Sequence, residues 1–194
     1  IRCQYLGEPK LVFADAREHV DPKLGISRFG PKSYSPRRKH PSTIKVGFIG
    51  TADSVATTRD WLTTNAGGVA GDAKHPEFPG FMEDRGFFSQ MEFDTDWHSQ
   101  IYQSEVDQVL DIYRPRDRFE SLLGMLDDKL RLLSQNVRQP DCIILALPDE
   151  LYLKCRVTNY RDKHLGEVHR DLRRAFKAIA MKYRIPTQLV RQQT

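Results

Sequence analysis

Apolar residues occur along this chain in two patterns, short uniform runs and one helical stripe. The first run covers residues 44–50 and ends in glycine, with the sequence Ile-Lys-Val-Gly-Phe-Ile-Gly. A second, almost entirely apolar run covers residues 141–148, as expected for a central strand of a parallel sheet. Between them, apolar side chains recur at helical spacing at Phe119, Leu122, Leu123, Leu126, Leu130 and Leu133. Strands that alternate with helices favour an α/β fold.

Weaker patterns predict the remaining elements. Helices are expected at residues 55–64, 104–112 and 167–183, short strands at 91–93 and from 187, and a long irregular loop at 65–90. Residues 149–166 are mixed and polar. Together these elements predict a Rossmann-like, mostly parallel sheet with flanking helices. Ligands of such sheets bind beyond the carboxyl ends of the strands.

The N-terminal part has a different character. Residues 1–43 are expected to be a linker segment that leads into a domain at 44–194. Short strands are predicted at residues 11–14 and 24–31, the second one ending in a turn. The following stretch at 31–41 is basic and rich in proline and serine, which favours an exposed linker.

Charge is distributed unevenly along the 194 residues. The net charge is +4 and the pI is near 9.0. Residues 154–194 alone hold eleven lysines and arginines against three acids, so the first 153 residues sum to −4. A basic C-terminal part suggests an anionic partner, most often a nucleic acid. A solvated basic helix without a partner is the alternative.

The composition also argues against several protein classes. Three cysteines without CxxC spacing indicate a reducing, cytoplasmic setting rather than a disulfide scaffold. Neither an apolar run of about eighteen residues nor a signal peptide occurs, so no membrane partner is expected. Because the chain begins with Ile1 instead of Met, we expect it to be a piece of a longer protein.

Three weaker motifs favour structural interpretations. Gly47-x-x-Gly50 lacks the third glycine of a dinucleotide fingerprint and favours a tight strand-to-helix turn. The acids and the histidine at residues 15–21 lack the spacing of metal ligands. Asp149 and Glu150 follow a strand, a position suited to a site, but two acids alone do not define one. No nucleophile motif occurs, so we expect no catalytic residue and no metal site built from side chains.

The strongest candidate site lies in the last quarter of the chain. Arg173 and Lys177 are four residues apart and share one face of the predicted helix. Gln188 follows in an Ile-Pro-Thr-Gln segment, where the helix is expected to end in a tight turn. A guanidinium, an ammonium and an amide donor that converge on one point suit a terminal phosphate. Thr187 would add a hydroxyl or backbone contact.

This order of segments resembles the linker and MID domain of prokaryotic Argonaute proteins. The resemblance covers most of the chain, with a loose match at residues 65–115, and rests on residues 24–31, 46–50, 140–148, the basic helix and 185–188. It implies a Rossmann-like domain that grips the 5′-phosphorylated end of a short guide strand. The family's phosphate-binding residues then correspond to Arg173, Lys177 and Gln188. A further lysine of the family's pocket would lie beyond Thr194.

A second register of the same pocket uses Tyr152 and Arg156. These residues are also four apart, and the aromatic ring suits stacking on a first base. This register needs a glutamine at position 167, which is Glu. Additional nucleic-acid contacts are expected at Tyr152, Arg156, Arg174 and Lys182.

The resemblance therefore implies a guide-binding domain that is not itself an enzyme. Its expected partners are a short single-stranded RNA or DNA guide, the complementary target, a PIWI domain of the same parent protein, which would carry any nuclease centre, and an effector protein. A divalent cation such as Mg²⁺ at the phosphate pocket is the cofactor that the resemblance suggests. Two functions of other classes stay open: an α/β enzyme that binds a nucleotide cofactor at the Gly47–Gly50 turn, and a protein-interaction module.

Overall fold

The computed structural model describes residues 7–35 and 39–191. Within these residues the helices and strands are β1 (Leu11–Val12), β2 (Glu18–His19), α1 (Pro22–Phe29), β3 (Thr43–Gly50), α2 (Ala52–Asn65), β4 (Gln90–Glu92), β5 (His98–Gln100), α3 (Gln103–Leu110), α4 (Pro115–Ser134), β6 (Cys142–Leu147), α5 (Asp149–Cys155), β7 (Val157–Asp162), β8 (Gly166–Asp171), α6 (Leu172–Tyr183) and β9 (Thr187–Arg191). The predicted α/β fold is confirmed.

A five-stranded, mostly parallel sheet forms the centre of the fold. Strand β6 lies between β3 and β9 and is parallel to both, and β5 runs parallel to β3 on its other side. Strand β4 completes the sheet. After β3 the chain forms β4 and β5 and then crosses to β6 on the other side of β3. This reversal makes the carboxyl ends of β3 and β6 the point where open α/β sheets bind their ligands.

Helices α4 and α6 cover one face of this sheet. The predicted leucine stripe of α4 is buried, with Phe119, Leu122 and Leu126 fully inaccessible. Alternate residues of β6 face these helices, and they belong to one apolar core with Phe176 of α6: Ile143, Leu145 and Leu147. Ile144 and Ala146 on the opposite face are buried as well, so β6 is a central strand with both faces covered.

The chain divides into two compact units. Unit 1 combines the N-terminal segment up to Ile44 with Trp61–Met91, and unit 2 holds Lys45–Asp60 and the residues from Glu92 onward. In unit 1 the Trp61 side chain is 59% exposed, whereas in unit 2 Trp97 is 2% exposed and its Nε1 donates a hydrogen bond to the carbonyl of Arg138 (3.0 Å). The boundary predicted between residues 43 and 44 stays a prediction.

In unit 1 the strand predicted at residues 24–31 is wrong, because these residues belong to helix α1. The Asp21 carboxylate accepts a hydrogen bond from the Leu24 amide at 2.8 Å, and Pro22 occupies the first helical turn. Gly30, with φ of 79°, ends the helix. An Asp cap, an early proline and a terminal glycine are strong helix boundaries.

Other N-terminal predictions have mixed outcomes. The strand at residues 11–14 is confirmed for Leu11–Val12. Residues 36–38 of the basic run lie outside the described residues. Next to them Lys39 is exposed, while His40 is half-buried and its Nε2 donates to the carbonyl of Phe87 (2.9 Å).

In the C-terminal part, the structure contains an antiparallel hairpin, β7–β8, that the sequence pattern did not predict. The helix predicted at residues 167–183 begins instead at Leu172, because residues 166–171 form β8. Among the residues that the structure describes, no helix combines the length and the apolar composition that a membrane span requires.

His98 makes the stability of unit 2 sensitive to acid. Burial, and then the nearby Arg59 charge, lower the pKa of His98 below its usual value of 6.5. The unfolded chain therefore binds a proton before the folded chain does, so this contribution to stability is lost as pH falls below about 6.5 towards the folded pKa. We expect the free energy of unfolding, measured in urea, to fall more steeply between neutral and mildly acid pH in the wild-type protein than in the His98→Phe variant. The variant keeps an aromatic ring against Phe48. The same pH dependence in both proteins would contradict this role.

Candidate functional site

Three side chains meet where β6 and β9 end. Arg191, the last residue of β9, is paired in register with Leu147, the last residue of β6. Its Nε lies 3.9 Å from Oδ1 of Asp149, which begins α5. Its guanidinium carbon lies 5.3 Å from the centroid of the Tyr152 ring, within cation–π range. The parallel pairing of β6 and β9 therefore holds an arginine against an aromatic ring at the carboxyl edge of the sheet.

Arg156 extends this group by one helical turn. It follows Tyr152 at a spacing of four residues, which gives the two side chains the same face of α5. The Arg156 side chain is exposed and makes no hydrogen bond or ion pair with the residues that the structure describes. Its carbonyl accepts a hydrogen bond from the Leu172 amide (2.9 Å), so α6 begins beside it. We call Asp149, Tyr152, Arg156 and Arg191 the edge cluster.

The ion pair between Arg191 and Asp149 in the edge cluster is not closed by a hydrogen bond. A separation of 3.9 Å is too long for a hydrogen bond, and within residues 7–35 and 39–191 the buried Oδ1 of Asp149 has no hydrogen-bond partner. The Arg191 side chain is 35% exposed. The Arg191 guanidinium thus faces the Asp149 carboxylate without a hydrogen bond, and Arg156 adds a second cation at the other end of α5. The cluster therefore has a net positive charge and N–H donors able to bind an anion.

The start of α2 lies at the same edge of the sheet. The Ser54 hydroxyl, in the first turn of α2, donates a hydrogen bond to the carbonyl of Ala146 in β6 (2.7 Å). A Cβ on Gly50 would lie 2.3 Å from that same carbonyl oxygen, so the close approach of β3 and β6 requires glycine there. The positive end of the α2 dipole adds to the potential at this edge.

The predicted phosphate site does not assemble as expected. Arg173 and Lys177 do share an exposed face of α6. Leu189 packs against the core beneath α6; because side chains alternate along a strand, Gln188 points to the opposite face of the sheet. Thr187 lies on the face of the sheet that α6 covers, but it comes after the C-terminal end of this helix. Arg173 is in the first turn, at the opposite end of a helix whose twelve residues span about 18 Å. The convergence predicted from spacing is therefore wrong.

Gln188 does not reach the edge cluster either. It pairs with Ile144 in the middle of β6, and three strand residues, about 10 Å, separate it from Arg191. Its amide Nε2 donates to the Leu189 carbonyl (3.3 Å). Beside Tyr152 of the second register the structure places Arg191, which sequence spacing did not suggest.

Arg174 and Lys182, which are also predicted to contact nucleic acid, differ in their exposure and ion pairing. Arg174 is exposed, as are Arg173 and Lys177. Lys182 instead forms an ion pair with Asp127 of α4 (3.0 Å). Tyr183 donates a hydrogen bond to the same carboxylate at 2.6 Å, which lowers the pKa of Asp127. Lys182 and Tyr183 therefore fasten the end of α6 to α4.

The predicted Mg²⁺ stays a prediction. Among the described residues, no group of three or more His, Cys, Asp and Glu side chains suits a metal ion. Of the edge cluster, Asp149 alone is a carboxylate, so a bound Mg²⁺ would need oxygen ligands from a phosphate group and water.

A cavity of about 260 Å³ lies beside the Gly50 turn and is lined in part by Thr51, His98 and Gln100. Pockets for drug-sized ligands measure roughly 300–1,000 Å³, so this cavity is small for a dinucleotide. The tight strand-to-helix turn predicted at Gly50 is present.

Neither a scan against protein-family models nor a search of curated proteins gives a match to this chain.

Proposed function

We propose that unit 2 binds the 5′-phosphorylated end of a short nucleic-acid strand at the edge cluster and anchors it as a guide. The observation that carries this proposal is the Arg191 guanidinium, stacked on Tyr152 at the carboxyl edge of the sheet with Arg156 one turn away. Stacking restricts the orientation of the guanidinium while its N–H groups stay available.

The chemistry of the cluster suits a terminal phosphate better than an internal one. A monoester carries up to two negative charges and three acceptor oxygens, and two arginines provide planar forks that bind such oxygens in pairs. The Tyr152 hydroxyl makes no hydrogen bond with a described residue and is one more donor.

The resemblance to Argonaute MID domains supports the same function through different residues. Tyr152 and Arg156 take the roles of the first two phosphate-binding residues, and Arg191 supplies the donor that Gln188 does not. The anchored phosphate carries no sequence information. Base pairing of the remaining strand would select the target.

The nucleotide-cofactor alternative has less support. The cavity beside Gly50 is small, and the cation-rich edge cluster offers stronger anion recognition than the turn itself.

The experiment that tests the proposal compares two short labelled strands of identical sequence, one with a 5′-phosphate and one with a 5′-hydroxyl. Fluorescence polarisation at moderate salt suppresses non-specific backbone contacts. We expect the phosphorylated strand to bind at least about tenfold more tightly, as one additional charge-assisted hydrogen bond provides. A strand phosphorylated only at its 3′ end is the control and should behave as the hydroxyl strand.

Equal affinity for all three strands would refute end recognition. Tight binding of a free mononucleotide, unaffected by competing 5′-phosphorylated strand, would instead favour the cofactor alternative.

A further inference from the structure

Helix α6 presents an exposed face that contains cations and no acid. Leu172, Phe176 and Ala180 are buried on the opposite face. The exposed side carries Arg173, Arg174 and Lys177, which we call the cation stripe. No ion pair joins a residue of the stripe to any of residues 7–35 and 39–191. Nearby cations differ in this respect, since Lys182 pairs with Asp127 and Arg170 with Glu120.

The cation stripe is unfavourable for the helix that carries it. Arg173 and Arg174 occupy the first turn, where the positive end of the helix dipole disfavours cations. Arg173 and Lys177 are like charges at a spacing of four residues, which also destabilises a helix. Acidic residues would suit these positions better, and only the capping Asp171 offsets the effect by accepting from the Arg174 amide (3.0 Å). A stability requirement therefore does not explain the stripe.

The stripe begins where the edge cluster ends. The Leu172 amide donates to the Arg156 carbonyl, so the first turn of α6 is directly joined to the end of α5. A strand whose terminal phosphate lies at the edge cluster would have its following phosphates nearest to α6.

We propose that the cation stripe binds the sugar–phosphate backbone of the strand whose end the edge cluster holds, without regard to base sequence. This inference rests on the proposed function for the nature of the ligand, but it concerns a separate surface. Three charges spread over just more than one helical turn, about 6 Å, suit successive phosphodiesters, each with one negative charge, better than a single compact anion.

The test is a triple variant, Arg173→Gln, Arg174→Gln and Lys177→Gln, assayed with 5′-phosphate and 5′-hydroxyl strands from about 50 to about 200 mM salt. We expect both strands to bind at least about tenfold more weakly at the lowest salt, while their affinity ratio is retained. The slope of log affinity against log salt should fall by about two, as expected for three lost contacts to a single strand. The matched control removes three exposed cations elsewhere in unit 2 that likewise form no ion pair with described residues: Arg138→Gln, Arg161→Gln and Lys163→Gln. It should change affinity by less than about threefold.

A second variant keeps the charge while changing the shape: Arg173→Lys with Arg174→Lys should bind almost as wild type. Because the stripe opposes the helix dipole, the glutamine variant should also melt at the same temperature as wild type or higher.

Affinity losses no larger than in the control would overturn the proposal. So would equal, stripe-dependent binding of polyglutamate, since the surface would then recognise any polyanion. If the 5′-phosphate preference is absent but the stripe dependence persists, the end-binding function fails and the backbone surface stands.

Discussion

Replacing both Arg156 and Arg191 with alanine should abolish the preference for a 5′-phosphate. Each guanidinium is expected to make at least one charge-assisted hydrogen bond to the phosphate, worth about 1.5–3 kcal/mol. The double variant should therefore bind the phosphorylated strand at least about a hundredfold more weakly. The affinity for the 5′-hydroxyl strand should fall only a few-fold, because this strand binds unit 2 through its sugar–phosphate backbone. Polarisation titrations of both strands at one salt concentration measure the two losses directly.

The hairpin supplies the matched control for this variant. Arg161→Ala with Lys163→Ala removes two exposed cations of unit 2 that lie outside the edge cluster and should leave the preference unchanged. Both double variants should unfold at similar urea concentrations, because Arg156 is exposed and the Arg191–Asp149 contact is long. If the alanine pair weakens both strands by the same factor, the edge cluster is a general electrostatic surface and end recognition is wrong.

Lys129→Met should be the most destabilising single charge removal in unit 2. The Lys129 side chain on α4 is 10% exposed, and its ammonium donates to the Gln100 carbonyl (2.7 Å) and to both carboxylate oxygens of Glu105 (2.9 and 3.0 Å). It thereby joins α4 to the end of β5 and the first turn of α3. Loss of the lysine leaves Glu105 without its partner. Since Glu105 is itself 30% exposed, we expect a loss of about 2–4 kcal/mol, somewhat below that of a fully buried pair.

Urea unfolding distinguishes this pair from a surface ion pair. Lys154→Met removes a lysine that pairs with Glu150 at the same 2.9 Å, but both side chains are about half exposed or more. It should cost only about 0.5 kcal/mol. Adding Glu105→Gln to Lys129→Met should restore part of the stability, because the uncompensated carboxylate is removed while an oxygen still caps the Tyr102 amide. Equal losses for Lys129 and Lys154 would show that burial does not strengthen the first pair.

The elements predicted correctly are those with long or uniform apolar patterns. Helix α4 has six stripe residues, all of which are buried in the structure. Strand β6 is uniformly apolar because both of its faces are covered. Helix α1 shows the opposite case. Its weak apolar pattern favours a strand, whereas the Asp21-Pro22 start and the Gly30 end together predict the helix that forms.

The β7–β8 hairpin shows how a neighbouring element can hide a strand. The helical spacing of the basic residues in α6 continues backwards over residues 167–171 and predicts helix there, although these residues form β8. The turn had its own signals: the Asp162 carboxylate accepts hydrogen bonds from the amides of His164 and Leu165, and Gly166 adopts φ of 75°. An aspartate followed by a glycine four residues later is a turn signal that local periodicity does not register.

For the candidate site, the sequence predicts which residues share one helix face but not which segments of the chain meet. Arg173 and Lys177 share a face because helical spacing is a local property. Whether Gln188 joins them depends on which residue of β9 pairs with which residue of β6, and that register is set by tertiary packing. Arg191 had one usable signal, its position at the carboxyl end of a predicted strand, where α/β sheets bind ligands.

The unequal burial of the two tryptophans gives unit 2 an optical signal of its own. Trp97 lies in the apolar interior of unit 2, so its fluorescence should shift to longer wavelength when that unit unfolds. Trp61 is already in contact with water in unit 1, and its emission should change little. A chain with Trp61→Phe would thus carry a single intrinsic fluorophore that follows unit 2 alone, without an attached dye.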